Sequence, residues 1–200
     1  MRRNESTGMN PSEIERMAAA CEVGFLGIDD PDGYPRVVPL NFVLIGECIY
    51  FHGALQGEKF DQLKTDPKVS FCFVEPYSMI PSDWQTGEYA CSATVFFKSV
   101  YLRGVGSVVV DPDEKAMALQ ALMEKHQPEG RYRAIRADDP LYDKALEDVA
   151  VFKIVPDRMT TRLKFGQNLS AEQRRRLIDK LRERGEDLDI LTAAEIEKTL

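Results

Sequence analysis

The residues His52-Gly-Ala-Leu-Gln-Gly-Glu-Lys59 set a histidine, two glycines and a lysine within one short span. The stretch reads as a strand end, a glycine-containing loop and the start of a helix. Backbone N–H groups at a helix start point outward, and the helix dipole favours an anion there. Lys59 puts a full positive charge in the first turn, where it opposes the dipole unless an anion is present. That conflict points to a phosphate. It is a small conflict, about 0.3–1 kcal/mol for an exposed side chain, and Glu58 pulls the other way. His52 has two readings. It is either a donor or proton carrier above a ligand, or a histidine whose nitrogens are satisfied by backbone, the commoner case for a lone imidazole. The other histidine, His126, ends a helix and suits its dipole as a surface residue.

Upstream, the apolar run Arg36-Val-Val-Pro-Leu-Asn-Phe-Val-Leu-Ile45 carries a proline inside a strand pattern. Proline cannot donate to a strand ladder, so Pro39 belongs on an edge or at a break in pairing. Backbone groups beside it are then free to bond a flat heterocycle, although an edge strand without a ligand fits equally well. Downstream, Lys98-Ser-Val-Tyr-Leu-Arg103 alternates. Ser99, Tyr101 and Arg103 share one strand face, with Val100 and Leu102 on the other. That face is a polar pocket, an interface or a plain solvent-facing side.

These residues need elements to hold them. Asn10 or Ser12 with Pro11 opens a helix, and Val23–Ile28 is a short strand. Gly46 and Glu47 mark a tight hairpin between Arg36–Ile45 and Cys48–Ala54. A short helix starts at Gly57, and Lys68–Val74 is a strand. Glu75–Ala90, with Pro76, Pro81, Gly87 and the only tryptophan, Trp84, reads as an irregular loop long enough to cover something. Thr94–Val110 is a long strand bent near Gly104 and Gly106. Asp111 and Pro112 open another helix, and Val149–Asp157 is the last strand. Beyond Gly166 the chain turns helical, with Ser170 as cap and Gly185 as stop. Antiparallel pairs without β-α-β crossovers predict a mainly β antiparallel barrel with peripheral helices. The domain expectation is 1–165 for the barrel and 166–200 for a helical extension.

The 200 residues suit one domain with a sizeable core. A net charge of −7 weighs against a nucleic-acid surface. The arginine run Arg174–Arg176 reads as a solvated, ion-paired helix face. No stretch approaches the roughly 20 apolar residues that span a bilayer, and the polar N-terminus has no leader pattern, so no membrane partner and a cytoplasmic location are expected. The four cysteines form no C-x-x-C pair. They predict neither a metal site nor a disulfide framework, with Cys48 and Cys72 as buried thiols.

Taken in order, Gly24–Val43, Ile49–Phe71 and Lys98–His126 resemble the pyridoxamine 5′-phosphate oxidase-like, FMN-binding split-barrel superfamily. The nearest likeness is to its nitroimidazole-resistance and flavin-nucleotide-binding branch. The resemblance implies a six-stranded antiparallel split barrel that forms a homodimer with FMN at the interface. It implies that Arg36, Val37, Val38, Pro39, Leu40 and Asn41 line the isoalloxazine edge. It further implies that His52, Gly53 and Ala54 pass close to the flavin, that Lys59 reaches the phosphate, and that Ser99 and Val100 approach the cofactor. Relatives often carry a basic residue where Glu58 stands. The C-terminal substrate pattern of true pyridoxamine phosphate oxidases is missing, which disfavours vitamin B6 oxidation. The implied activity is oxidoreduction of a small molecule through FMN from a reduced nicotinamide or other donor, with His52 as the catalytic candidate. A non-catalytic flavin-binding or regulatory protein, and a haem- or F420-binding barrel with His52 as a possible haem ligand, are the alternatives.

Overall fold

The apolar run around Pro39 does not form one strand. In the computed structural model, which describes residues 8–65, 67–86 and 88–200, it breaks at Phe42 into β2 (Pro35–Asn41) and β3 (Val43–Ile45). The chain enters through helix α1 (Pro11–Ala20), capped by the Asn10 side chain, and strand β1 (Val23–Asp29). After β3 come β4 (Cys48–Ala54), α2 (Glu58–Leu63) and β5 (Lys68–Ile80). Then follow α3 (Asp83–Thr86), a 3-10 turn, β6 (Thr94–Val109) and α4 (Pro112–His126). Last come α5 (Asp143–Asp148), β7 (Val149–Lys164), α6 (Ala171–Arg184) and α7 (Asp189–Lys198).

The seven strands form one sheet in the order β2-β1-β5-β6-β7-β4-β3. The pairs β1–β2, β1–β5, β3–β4 and β4–β7 are antiparallel. The resemblance implied six strands, and the break at Phe42 adds the seventh. It also explains the curl. β2 and β3 are the two ends of the strand order, yet one residue separates them in sequence, so the two edges must approach each other as in a split barrel. Phe42 is fully buried at this joint, with its ring centroid 5.1 Å from those of both Phe71 and Phe73. Truncating such a ring to alanine costs about 3–5 kcal/mol. From α4, the Lys125 ammonium donates to the carbonyls of Phe42 and Cys21, both at 2.7 Å, and lies 3.9 Å from the Phe42 ring centroid. The other end of α4 is tied down by Glu114, which accepts from Tyr50 at 2.7 Å and from Lys153 at 2.8 Å.

The chain divides into two compact units. The larger, residues 10–73 (Asp66 apart) and 100–160, holds the joint, α1, α2, α4, α5 and every residue of the candidate site except Ser99. The smaller takes in residues 8–9, 74–99 (Gly87 apart) and 161–200. In it Phe165 packs edge-on against Tyr77 and Phe96. The wholly buried Lys98 pairs with Glu195 of α7 at 2.8 Å. Asp189, also wholly buried, accepts from Arg184 at 2.6 and 2.7 Å and from Ser78 at 2.6 Å. Ser170 and Gln173 form a reciprocal cap at the start of α6, which stops at Gly185 in the left-handed region.

Several expectations are corrected. The segment expected to be irregular from Glu75 is strand as far as Ile80, passing through Pro76. Trp84 packs under Arg184, 4.7 Å from its ring centroid, within the smaller unit. Cys48 and Cys72 are half-buried rather than buried. Arg174 is no solvated member of a charged face. It is buried and donates to the carbonyls of Ile196 and Thr199, satisfying the end of α7. No described helix is long and apolar enough to cross a membrane.

Candidate functional site

Strand parity on β4 decides which side chains face which way. Phe51 pairs with Phe152 of β7 and both are fully buried, so odd-numbered residues of β4 point into the barrel. Gly53 follows at the next inward position and has no side chain to fill it. Lys59 does so instead, folding back from α2. A Cβ on Gly53 would stand 2.8 Å from the Lys59 Nζ and 3.1 Å from its Cε. The ammonium lies 5.7 and 5.6 Å from the ring centroids of Phe51 and Phe152, and donates a long bond of 3.5 Å to the carbonyl of His52. Burial lowers its pKa from the ordinary lysine value. Among the described residues no carboxylate pairs with it. Gly57, at φ +98°, makes the turn that sends the chain into α2. That helix is only six residues long, so the charge of Lys59 matters more here than any helix dipole.

His52 takes the opposite parity. Its imidazole shares a strand face with Tyr50 and with its partner Val151, the face on which Ala118 of α4 packs. The side chain is exposed, and only the His52 carbonyl meets Lys59. Partial burial, then the charge of Lys59, then that of His126, hold its pKa below the ordinary histidine value. The ring is therefore neutral at neutral pH and can both donate and accept a hydrogen bond.

Pro39 lies, as its chemistry requires, on an edge: β2 ends the strand order, and Pro39 stands opposite Phe25. Val37, Pro39 and Asn41 are exposed, and Arg36, Val38 and Leu40 are half-buried. The Asn41 side chain donates to the carbonyl of Glu22 at 3.0 Å. Arg36 reaches away from the strand. Its guanidinium contacts the Glu58 carboxylate, with Asp30 at 3.6 Å. Glu58 is thus neutralised by Arg36 rather than by its neighbour Lys59. Sequence adjacency gave no sign of this link between β2 and α2.

Beside Arg36 a groove of about 490 Å³ opens on the outer sheet face. Gly27, Val37, Ser70, Tyr101, Arg103 and Asp157 line it, and Arg103 pairs with Asp157 at 3.1 Å. The alternating face of Tyr101 and Arg103 is therefore one wall of a pocket of ligand size. Arg36 lines the groove and, through Glu58, contacts the helix that carries Lys59. The structure brings together Gly53, Lys59 and the His52 backbone, and Ala54 beyond them is exposed. It does not add Val100, which is fully buried on β6, a strand separated from β4 by β7. Ser99 is half-buried and belongs to the smaller unit. Among the described residues, no three His, Cys, Asp or Glu side chains gather to hold a metal.

Comparison with known proteins agrees with this architecture. A "putative 5-nitroimidazole antibiotic resistance protein" from Bacteroides thetaiotaomicron is 25% identical, with a TM-score of 0.61 over 77% of this chain and 84% of that one. A conserved hypothetical protein from Mycobacterium tuberculosis is 20% identical, with a TM-score of 0.63 over 85% and 94%. The flavocytochrome Anf3 from Azotobacter vinelandii, also 20% identical, has a TM-score of 0.65 over 83% and 72%. The last two show likeness of fold. No curated protein matches the sequence. Residues 10–163, most of the chain and all of the site just described, match the family described as Pyridoxamine 5′-phosphate oxidase, and the chain belongs to that family.

Proposed function

We propose that the chain binds a flavin nucleotide, with FMN as its cofactor, and acts as an oxidoreductase on a small molecule. One observation carries the reading: a half-buried ammonium, Lys59, rests in the space of a missing side chain at Gly53 with no carboxylate beside it among the described residues. A buried cation without a counter-charge is costly. A phosphate would supply the charge and use all three donors of the ammonium. The remaining residues fit the rest of the cofactor. The exposed edge at Val37 and Pro39 offers backbone groups and a flat apolar wall to a heterocycle, and the adjoining groove offers room.

Bound flavin would supply the redox chemistry, while the chain binds it, orients it and excludes water. Lys59 and Arg36 would hold the phosphate end, and the β2 backbone would hold the ring edge. The neutral His52 could take a proton from, or donate a hydrogen bond to, a substrate reaching the outer face of β4.

A homodimer belongs to the same proposal. Phe25, Val37, Tyr101, Val105 and Val155 are all at least 43% exposed on strands β1, β2, β6 and β7. An apolar surface of that kind marks an interaction site. A second copy seated there would close the groove and leave the ring between two subunits. Sedimentation of a dimer, and of a monomer after Val37→Glu, supports this; a wild-type monomer refutes it.

The absorption spectrum of the purified protein, followed by FMN titration and anaerobic addition of NADPH, tests the main reading. Flavin bands that bleach with NADPH support an oxidoreductase. Bound flavin that no donor reduces favours a binding or regulatory role. Colourless protein that does not take up FMN overturns the proposal.

A further inference from the structure

The strand that carries Val37 and Pro39 is tied unevenly to the rest of the barrel. β1 and β2 pair over seven residues each, from Val23 opposite Asn41 to Asp29 opposite Pro35. Among the described residues β1 meets β5 over three pairs, Phe25 to Gly27 with Cys72 to Ser70. The far side of β2 is the end of the strand order. The hairpin of residues 23–41 is therefore firmer within itself than against its neighbour, and β2 goes where the hairpin goes. One side chain grips both ends of this hairpin. The chain enters β1 just after Cys21 and leaves β2 at Phe42, and the Lys125 ammonium donates to the carbonyls of both, each at 2.7 Å. It also lies 3.9 Å from the centroid of the Phe42 ring. Bonds from an ammonium are roughly twice as strong as neutral ones.

The grip is anchored outside the hairpin. Lys125 stands in the last turn of α4, and the first turn of that helix is fixed by Glu114 to Tyr50 of β4 and Lys153 of β7. β4 also carries Gly53, over which Lys59 rests. Through α4, then, the ends of the β1–β2 hairpin are held relative to the strand that builds the phosphate cradle. Resting on the flavin reading above, we infer that Lys125 is a positioning residue for the cofactor: it fixes the ring-binding edge of β2 against the β4 cradle that takes the phosphate. A hairpin released at its ends keeps its own pairing and leaves the Lys59 contact whole, but it no longer holds the ring edge in one place.

The test compares the full-length wild type with Lys125→Met, which keeps the stem without the charge, and Lys125→Arg, which keeps the charge. Amide hydrogen exchange of the apoprotein comes first. In Lys125→Met residues 25–27, 42 and 70–72 exchange faster, while the amides that pair β1 with β2 and β4 with β7 keep wild-type rates; Lys125→Arg restores most of the wild-type pattern. Titration with riboflavin and with FMN, followed by flavin fluorescence and absorption, comes second. Lys125→Met lowers both affinities by the same factor, about 2- to 12-fold, as loss of one neutral hydrogen bond at the ring edge implies, and it shifts the absorption bands of the bound flavin. Lys125→Arg recovers both. Unchanged exchange at the ends of the hairpin, or faster exchange throughout the unit, overturns the grip. Weaker FMN binding with riboflavin unaffected, or no weakening of either, overturns the positioning role and leaves the flavin reading standing. Wild-type protein that binds neither flavin overturns the flavin reading and the positioning of a cofactor with it, and the exchange pattern then decides the grip by itself.

Discussion

Replacing Lys59 by alanine separates a binding role from a folding role, because the surroundings of this side chain make the two effects unequal. In the folded chain the ammonium has one long hydrogen bond, 3.5 Å to the His52 carbonyl, and two ring faces near 5.6 Å. Each ring contact is worth about 0.5–1 kcal/mol at such a site, and burial of the charge opposes that gain, as its lowered pKa records. The net stability change for Lys59→Ala is therefore below about 1 kcal/mol, within the range of an ordinary surface substitution. Binding should respond far more. A charge-assisted contact to phosphate is worth about 1.5–3 kcal/mol, or roughly 10- to 150-fold in affinity. Urea unfolding of the apoprotein gives the first quantity and fluorescence titration with FMN the second. The wild-type FMN affinity should also fall with rising pH before the ordinary lysine value of 10.5 is reached, because the lowered pKa removes the charge early. An intact fold with unchanged FMN affinity in Lys59→Ala would show that the phosphate lies elsewhere.

Gly53→Ala should leave the fold intact, because the clashing atoms are the flexible end of Lys59, but it should displace the ammonium. FMN affinity should drop on the order of tenfold, as one lost charge-assisted bond implies, and the loss should vanish when Lys59 is already alanine; additive losses would refute the shared cradle. Lys125 is lowered by burial to about 8. Below that pH both folded and unfolded chains carry its proton. Between about 8 and the ordinary value of 10.5 the unfolded chain holds more protons, so stability should rise with pH in that window. Urea midpoints that rise equally in wild type and in Lys125→Met would refute this assignment. Asp189, held at about 2 chiefly by its hydrogen bonds from Arg184, contributes stability that is present above the ordinary value of 3.8 and lost as pH falls toward 2. Asp189→Asn removes the buried carboxylate and leaves Arg184, among the described residues, with only the exposed Glu186 carboxylate, 3.4 Å away, and should cost about 3 kcal/mol, measured by urea unfolding at pH 7; a loss below about 1 kcal/mol would refute it.

Local chemistry made much of this legible in advance. Caps at Asn10, Asp111 and Ser170, the turn at Gly46 and the stop at Gly185 stand where their side chains or backbone preferences require. Pro39 announced an edge, and the alternation of Val100 through Arg103 announced two faces. Other features depend on distant partners. The break at Phe42 lies within an uninterrupted apolar run and is set by Phe71, Phe73 and Lys125, far away in sequence. The direction of His52 follows from pairing with β7, a strand about 100 residues downstream. The bond between Arg36 and Glu58 crosses from strand to helix. Pro76 pointed to a loop, but neighbouring residues keep the strand running past it.

The one-residue joint at Phe42 has a further effect on the life of the protein in a crowded solution. An open sheet presents two rims of unsatisfied backbone on which foreign strands can grow. Here the rims belong to strands tied together through the single residue Phe42, and one of them carries proline at 35 and 39, which have no hydrogen to offer. The closed joint and the two prolines therefore give passing polypeptides little on which to seed a fibre.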